Sequence, residues 1–440
     1  MNSNRLLYWS LTVAMAGFLF GFDTVAISGA DQALQELWPK GDLFHGFVIM
    51  ASALWGTVVG SLFGRYPTDS WGRKNTLIVI GLLYMVSAVG SAMCSDPYLF
   101  SFFRFLGGLG VGASTIAAPA YISEIAPSND RGKLVATYQF NIVLGIMIAF
   151  ISNYLLRDFG SQPWRWMLGV EAIPALLYSV MVFMIPQSPR WLVTYRNNTK
   201  EAKSILLDLG YTSESADKEI ELIASSSKIV GTESVFDKTY RFPLILAFLI
   251  AFFNQFSGIN AFLYYAPRIF EEAGLGESSA LLSSVGIGLT NLIFTIMGML
   301  LIDKAGRKQL MYIGSVGYIV SLVFVAYAFA SKIQGMAVPI SLFVFIAAHA
   351  IGQGAVIWVY ISEIFPNHIR AQGQTVGTGT HWVLAAIIPS LVPFLFSSVG
   401  TAPVFGFFAF MMCLQLLFVY KMMPETKGKS LEELQIELRT

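Results

Sequence analysis

The stretch GRYPTDSWGRK (residues 64–74) returns later in the chain as GMLLIDKAGRK (residues 298–308), and this repeat determines the fold. Both copies share the pattern Gly-x4-Asp-x2-Gly-Arg-Lys, and both follow an apolar run. Two further pairs recur at a similar offset of about 235 residues: YISEIAPSNDRG (121–132) with YISEIFPNHIRA (360–371), and PQSPRWL (186–192) with PETKGKS (424–430). Three matches at one spacing indicate that the chain consists of two related halves.

The composition is that of a membrane protein. Apolar residues make up 55% of the 440 residues and charged residues only 12%, and the mean hydropathy is +0.62. These values indicate a polytopic membrane protein surrounded by lipid. The formal net charge of +1 argues against a nucleic-acid partner, and the two cysteines, Cys94 and Cys413, give no disulfide framework or metal-binding spacing. The first apolar run is long enough to span a bilayer, so we expect no cleavable signal peptide.

Apolar runs of membrane-spanning length recur along the chain. A bilayer core of roughly 30 Å needs about 20 residues of helix. Counting such runs predicts twelve spans, six on each side of one long polar insert. The predicted spans cover residues 8–29, 45–66, 76–94, 98–122, 133–156, 165–186, 242–271, 279–302, 309–331, 337–363, 372–398 and 402–423.

Repeat and spans together predict the domain organisation. We expect an N-terminal six-helix bundle over residues 1–186, a cytoplasmic linker with short amphipathic helices over 187–241, a C-terminal six-helix bundle over 242–423, and a cytoplasmic tail over 424–440. The fold class is an all-α membrane protein whose two bundles are pseudo-symmetric, with the solute site between them. Lysine and arginine concentrate on one side of this map, so the positive-inside rule places both termini in the cytoplasm.

The repeated motifs place matching charges at the ends of spans. Asp69 and Arg73 in the first half correspond to Asp303 and Arg307 in the second. Each half also has a glutamate seven residues before an arginine. Charges at this depth are costly unless they are paired, and pairs at the interface can break when bundles move. A purely topogenic role stays open for any single charge. The predicted cytoplasmic gate comprises Asp69, Arg73, Glu124, Arg131, Asp303, Arg307, Glu363 and Arg370.

Several motifs in order resemble one family. They include GFDTVAISG (21–29), RFLGGLGVG (104–112), NQFSGINAFLYYAP (254–267) and PETKGKSLEEL (424–434). Over essentially its whole length the chain resembles the sugar porters of the major facilitator superfamily. The resemblance implies the major facilitator fold, a sugar as the solute, and transport by alternating access.

Asp23 is a lone acid in an apolar run. At 1.5 Å per residue it lies about 22 Å above the inner end of its helix, and Arg104 and Glu171 reach nearly the same level from the other side. An arginine that approaches and leaves a carboxylate changes its proton affinity. In the family, relatives with aspartate at this position resemble proton symporters, whereas animal facilitators carry asparagine. We therefore predict proton coupling through Asp23, Arg104 and Glu171; a permanent Asp23–Arg104 ion pair remains the alternative.

A sugar site needs amides for the hydroxyl groups and aromatic rings for the apolar ring face. Polar side chains of this kind cluster near the midplane, where they are expensive without partners. Hydrogen bonding between helices is the alternative for any one of them. Gly258 permits a bend in the seventh span, whose outer end we expect to close over the sugar with Tyr264 in contact. The candidates are Gln139, Asn254, Gln255, Asn260, Tyr264, Asn291, His349, Trp358, His381 and Trp382.

Several positions depart from the usual family pattern. Gln187 replaces the glutamate of the motif PESPRWL, which implies a weaker contact at the gate. His381 stands where an amide is typical, and both His381 and His349 resemble histidines of the mammalian fructose facilitator. The resemblance favours fructose and glucose about equally. A core histidine already satisfied by its neighbours, or a second titrating group, are the alternatives.

The function predicted from the sequence is a proton-coupled monosaccharide symporter. An uncoupled facilitator and a transport-inactive sugar receptor stay open as alternatives. We expect no enzyme activity, cofactor or metal, because the four histidines are scattered and no nucleophile grouping stands out. The expected partners are a small sugar, protons and the lipid bilayer. We expect a functional monomer in a bacterial inner membrane.

Overall fold

The computed structural model describes residues 3–127, 130–226, 234–366, 368–429, 433–434 and 438. Part of the predicted linker (227–233) and most of the predicted tail beyond residue 429 therefore lie outside the described residues. Within the described ranges every regular element is a helix and no strand is present. The all-α prediction is confirmed.

Eleven helices are long and apolar enough to cross a bilayer, and a bent pair brings the number to twelve in the described part of the chain. The protein is thus a multi-pass membrane protein. In order, the spans are Asn4–Gly29, Asp42–Met50 with Ser52–Phe63, Arg73–Met93, Pro97–Ile125, Arg131–Leu156, Pro163–Met184, Lys238–Glu272, Glu277–Ala305, Arg307–Ala330, Ala337–Glu363, Arg370–Ser398 and Thr401–Lys421.

Three spans are interrupted. The second is bent by 45° where the π-helical segment His45–Met50 meets the α-helix Ser52–Phe63. The seventh breaks at Gly258, whose φ of +84° is readily adopted only by glycine, so the predicted bend is confirmed. The tenth breaks at Gly352, with φ −85° and ψ −98°. The sequence predicts continuous helices for the second and tenth spans, and the structure interrupts both. A glycine in an apolar run does not by itself show whether the helix breaks there.

Three short helices lie between the sixth and seventh spans in the described part of the chain. They are Pro189–Arg196, Thr199–Asp208 and Ser213–Ser226. The first begins at Ser188, whose hydroxyl accepts a hydrogen bond from the backbone N–H of Trp191, with proline at the first helical position. Their apolar residues Ile205, Leu209 and Ile223 are buried in the same hydrophobic core as the membrane spans of the first unit.

The chain divides into two compact units. The first contains residues 1–23, 52–146 and 168–231. The second contains residues 24–51, 147–167 and 232–440. The second unit therefore includes the far end of the first span and the first half of the second.

Glycines allow the spans of the first unit to approach closely. Gly56 and Gly60 of the second span face the fourth span, where Gly108 and Gly112 repeat the same spacing. A Cβ atom at Gly56 would lie 2.1 Å from the carbonyl oxygen of Phe105, and one at Gly108 would lie 1.9 Å from that of Ala53. Backbones this close gain van der Waals contact, the usual driving force for helix association in lipid. The fourth span, which carries Arg104, therefore packs closely against the second span.

Candidate functional site

Asp23 and Arg104 form a buried ion pair inside the first unit. The Arg104 guanidinium binds the Asp23 carboxylate through Nη1 and donates a second hydrogen bond from Nη2 to the Asp23 backbone carbonyl, at 3.1 Å. Both side chains are at most 2% exposed. A buried pair is stable only when both charges are present, since removing one leaves an uncompensated charge. The structure thus brings together the first two residues of the predicted proton site.

Glu171 completes the predicted group. It is 1% exposed and interacts electrostatically with both Asp23 and Arg104. Its Oε1 atom has no hydrogen-bond partner among the described residues. Two acids and one arginine thus share a buried site, in which the single positive charge of Arg104 can balance only one carboxylate. Beside this group Gly107 makes room for Ser87, because a Cβ there would lie 2.4 Å from Ser87 Oγ.

Gln255 is the centre of a polar cluster in the second unit. Its Nε2 donates to Asn254 Oδ1 at 2.8 Å and lies 3.2 Å from His381 Nδ1, while its Oε1 accepts from Asn260 Nδ2 at 2.8 Å. These four residues come from the two halves of the broken seventh span and from the eleventh span. The break at Gly258 brings Asn260 back toward Gln255, which a straight helix would not allow. The cluster offers both donors and acceptors, as sugar hydroxyl groups require.

A chain of buried amides continues from this cluster and was missed by the sequence analysis. Asn254 Nδ2 donates to Gln353 Oε1 at 3.4 Å, Gln353 Nε2 donates to Gln415 Oε1 at 2.6 Å, and Gln415 Nε2 donates to Ser315 Oγ at 2.8 Å. Gln353 and Gln415 are fully buried. The signal was available, because a glutamine inside an apolar span is costly without partners.

Aromatic rings border the cluster on the eleventh-span side. The ring centroid of His381 lies 4.9 Å from that of Trp358 and 4.9 Å from that of Trp382. Trp358 is 37% exposed, whereas Trp382 is buried. Such rings can cover the apolar face of a pyranose or furanose. Tyr264, the predicted lid residue, is 1% exposed in the half of the seventh span beyond the break.

Two predicted sugar-site residues of the second unit form hydrogen bonds with side chains outside the Gln255 cluster. His349 Nδ1 is 2.5 Å from the hydroxyl of buried Tyr318. Asn291 accepts a hydrogen bond from Thr295 Oγ1 at 3.4 Å on its own helix, so this bond does not join two helices. Gln139 belongs to the first unit, whereas the other nine candidates belong to the second.

Six of the eight predicted gate residues form matching ion pairs, three residues in each half. Arg73 lies 2.9 Å from Glu124 and 3.2 Å from Asp69. The glutamate also accepts a hydrogen bond from Ser188 Oγ at 2.5 Å. A charged group shared among several partners keeps its helix ends together at the membrane surface.

The second half repeats this arrangement. Arg307 lies 2.7 Å from Glu363 and 3.1 Å from Asp303, and Thr426 Oγ1 donates to Glu363 at 2.7 Å. Arg131 and Arg370 form no ion pair with any residue that the structure describes. The glutamates therefore pair across to a neighbouring helix rather than with the arginines that follow them in sequence.

One symmetric contact differs between the halves. Gln187 Oε1 accepts a hydrogen bond from the backbone N–H of Lys74 at 3.1 Å. At the equivalent place Glu425 accepts from the backbone N–H groups of Arg307 and Lys308, each at 3.0 Å. Burial raises the pKa of Glu425, but its hydrogen bonds from backbone N–H groups outweigh burial and hold the pKa below the ordinary value.

Replacing Glu425 by glutamine is expected to lower the free energy of unfolding by about 1 kcal/mol, since partial exposure screens the charge. Its lowered pKa means that this contribution is complete above the ordinary glutamate pKa and disappears as the pH falls through the folded-state value. Thermal unfolding of the wild type and E425Q from pH 7 to pH 3 measures the difference. We expect the two unfolding temperatures to converge at the acid end.

Gln187→Glu provides the matched control, because it installs the same carboxylate in the other half. It is expected to raise the unfolding temperature at pH 7 and to lose that gain in acid. Equal unfolding temperatures for E425Q and the wild type at pH 7 would contradict the assigned role of Glu425.

Comparison with known proteins gives consistent matches over the whole chain. The family model described as "Sugar (and other) transporter" matches residues 9–438. The arabinose-proton symporter of Bacillus subtilis (strain 168) is 35% identical over 436 residues, covering 97% of this chain and 93% of that protein. The glucose transporter GlcP of Staphylococcus epidermidis (strain ATCC 12228 / FDA PCI 1200) is 35% identical over 446 residues, covering 100% and 98%.

A solved structure matches as well. The inward-open conformation of the xylose transporter XylE from E. coli has a TM-score of 0.88 and 31% sequence identity, and the match covers 98% of this chain and 99% of that chain. Sequence and fold therefore agree along nearly the full length of both proteins.

Proposed function

This chain belongs to the sugar transporter family of the major facilitator superfamily, and on that premise we propose that it imports a monosaccharide together with a proton by alternating access. The observation that carries the proposal is the buried Asp23–Arg104 pair with Glu171 beside it, because ionisable groups at this depth are costly and typically mark an ion or proton pathway. The arabinose relative is itself named a proton symporter. We further propose that the protein acts as a monomer in a bacterial inner membrane, with both termini cytoplasmic.

The polar cluster around Gln255 supports the sugar half of the proposal. Asn254, Gln255, Asn260 and His381 present amide and imidazole groups close to one another, beside the rings of Trp358 and Trp382. We propose that hydroxyl groups of the sugar replace some of these mutual hydrogen bonds when it binds. Gln139, Tyr264, Asn291 and His349 are proposed as secondary contacts.

The proposed cargo is a hexose, with fructose and glucose as the two candidates. The named relatives handle xylose, arabinose or glucose. Imidazole in place of an amide at position 381 changes the shape and the donor pattern of the site. A site built to bond a particular hydroxyl rejects sugars that lack it there.

Uptake of labelled sugars into proteoliposomes tests the proposal. The panel contains fructose, glucose, xylose and arabinose, each measured with and without an imposed pH gradient, inside alkaline. We expect accumulation of one hexose above the outside concentration only with the gradient. Equal uptake with and without the gradient would support the uncoupled facilitator instead, and sugar binding without uptake would support the receptor.

The substitution His381→Gln is expected to change the ratio of fructose to glucose uptake by about tenfold, the effect of a single hydrogen bond worth about 1.4 kcal/mol. His381 contacts Gln255 and both tryptophans, so it is the histidine with the most direct access to the cluster. Competition between the two labelled hexoses measures the ratio. His368→Gln is the control, because His368 bonds Tyr240 and no residue of the Gln255 cluster. This substitution is expected to leave the ratio unchanged. A ratio unaffected by H381Q would show that this side chain does not contribute to discrimination between the two hexoses.

A further inference from the structure

Asp31 is a buried acid that the transport proposal does not use. It begins the short helix Asp31–Leu37, which follows the first span, and its side chain is 2% exposed. Arg268 of the seventh span reaches it with Nε 2.6 Å from Oδ2 and Nη2 3.0 Å from Oδ1. His45, at the start of the second span, places Nε2 2.6 Å from Oδ1. One carboxylate therefore ties together three separate segments of the second unit.

Arg268 lies on the helix Ile259–Glu272, which we call the jointed segment because regular helical geometry is interrupted at its start and within it. The seventh span breaks at Gly258, and within Ile259–Glu272 the backbone of Tyr265 leaves helical geometry, with φ −123° and ψ 19°. Pro267, two residues later, removes a backbone hydrogen bond. A helix with two such interruptions bends at them more easily than elsewhere. Arg268 lies just beyond the second interruption.

Further polar contacts involve the same end of the helix. Arg268 Nη2 donates to Gln35, Gln32 Nε2 donates to Glu271 at 2.9 Å, and Thr401 donates to Glu272. Among the contacts at this end of the helix, the Asp31–Arg268 contact is an ion pair between a buried carboxylate and a guanidinium. Such a pair is stable when intact and costly when one partner is lost. It therefore has two distinct states, joined and separated, as a switching contact requires.

We infer that Asp31, Arg268 and His45 form a latch. The latch holds the jointed segment of the seventh span against the short helix Asp31–Leu37 and the start of the second span. Asp31 and His45 are positioning residues, because they act on Tyr264 through Arg268 and its helix. Opening the latch frees the segment that carries Tyr264, and closing it returns Tyr264 to its buried position. The inference rests on the proposed transport function, in which this segment closes over the sugar.

The distance between the short helix and Gly276, which lies four residues beyond the end of the jointed segment at the start of the eighth span, tests the latch. Spin labels are placed on cysteines at Ala33 and Gly276, after both native cysteines are replaced by alanine. Ala33 is exposed, and a Cβ at Gly276 meets no atom within 4 Å. We expect one dominant short distance in the parent protein. Asp31→Asn and Arg268→Gln are each expected to raise the population of a longer distance about fivefold or more.

Two further variants separate a latch from a purely structural ion pair. Arg268→Lys keeps the charge and is expected to restore part of the short-distance population. Ser397→Ala removes a neighbouring hydrogen bond to Asp42 that does not involve the seventh span, and is expected to leave the distances unchanged. Parent-like distance distributions in D31N and R268Q, even with lowered unfolding temperatures, would overturn the latch. The measurement needs no sugar, so its outcome is independent of the transport assay.

Discussion

Asp23→Asn is expected to abolish the accumulation of sugar against its gradient while sugar exchange across the membrane continues. Asparagine keeps the size of the side chain and an oxygen that accepts from Arg104, but it cannot carry a transferable proton. For one proton per sugar, a pH difference of one unit can sustain about a tenfold accumulation. We expect that ratio in the wild type and a ratio of about one in D23N, measured in proteoliposomes with the sugar identified by the panel.

The same substitution at an exposed acid controls for the loss of a negative charge. Asp208 pairs with Arg5 and its side chain is 51% exposed, so Asp208→Asn is expected to leave accumulation intact. A permanent ion pair between Asp23 and Arg104 makes a different prediction. In that case D23N lowers the unfolding temperature but accumulates sugar as the wild type does, and that result would refute the coupling role.

The gate was predicted as a set of residues but not as a set of pairs. The repeated motifs located all eight charges because the pattern repeats in both halves. Their pairing depends on how neighbouring helices pack, and the structure joins Glu124 to Arg73, 51 residues away along the chain. Arg131, only seven residues from Glu124, does not take part in that pair. Proximity in sequence is a poor guide where a loop separates the two residues.

Helix interruptions show the same limit. Gly258 was singled out because it stands among bulky apolar residues in the seventh span, and the break is there. Gly352 in the tenth span has a second glycine, Gly354, close by, and its sequence context did not distinguish it from glycines that only permit close packing, such as Gly56. Whether a glycine bends a helix or brings two helices together depends on the surface opposite it, which a single sequence does not contain.

The pairing of the latch residues could not be predicted from the sequence for a similar reason. Arg268 carried a signal, since a charge inside an apolar span needs a partner. Asp31 lies in a short polar connection where acids are ordinary, and it is separated from Arg268 by most of the chain. Only the three-dimensional arrangement shows that this connection contains a buried acid rather than a solvated one.

The second large effect is expected at Gln255. Gln255→Leu preserves the approximate volume of the side chain but removes its hydrogen bonds to Asn254, Asn260 and His381. An unsatisfied buried polar group costs about 1–3 kcal/mol, and the proposed sugar also loses a direct partner. We expect kcat/KM for uptake to fall at least about a hundredfold, a loss of about 2.7 kcal/mol.

Gln415→Leu is the decisive control because it makes the same substitution in the same chain of buried amides. Gln415 bonds Gln353 and Ser315 and none of the proposed sugar contacts. Its loss is expected to lower the unfolding temperature and to leave KM for the sugar within about threefold, because a structural amide alters stability in the bound and free protein alike. If Q255L and Q415L changed KM equally, the amides would be a helix-packing network, and the sugar would have to bind elsewhere. A large KM effect confined to Q255L would place the cargo at the break in the seventh span, where Gly258 turns Asn260 back toward Gln255.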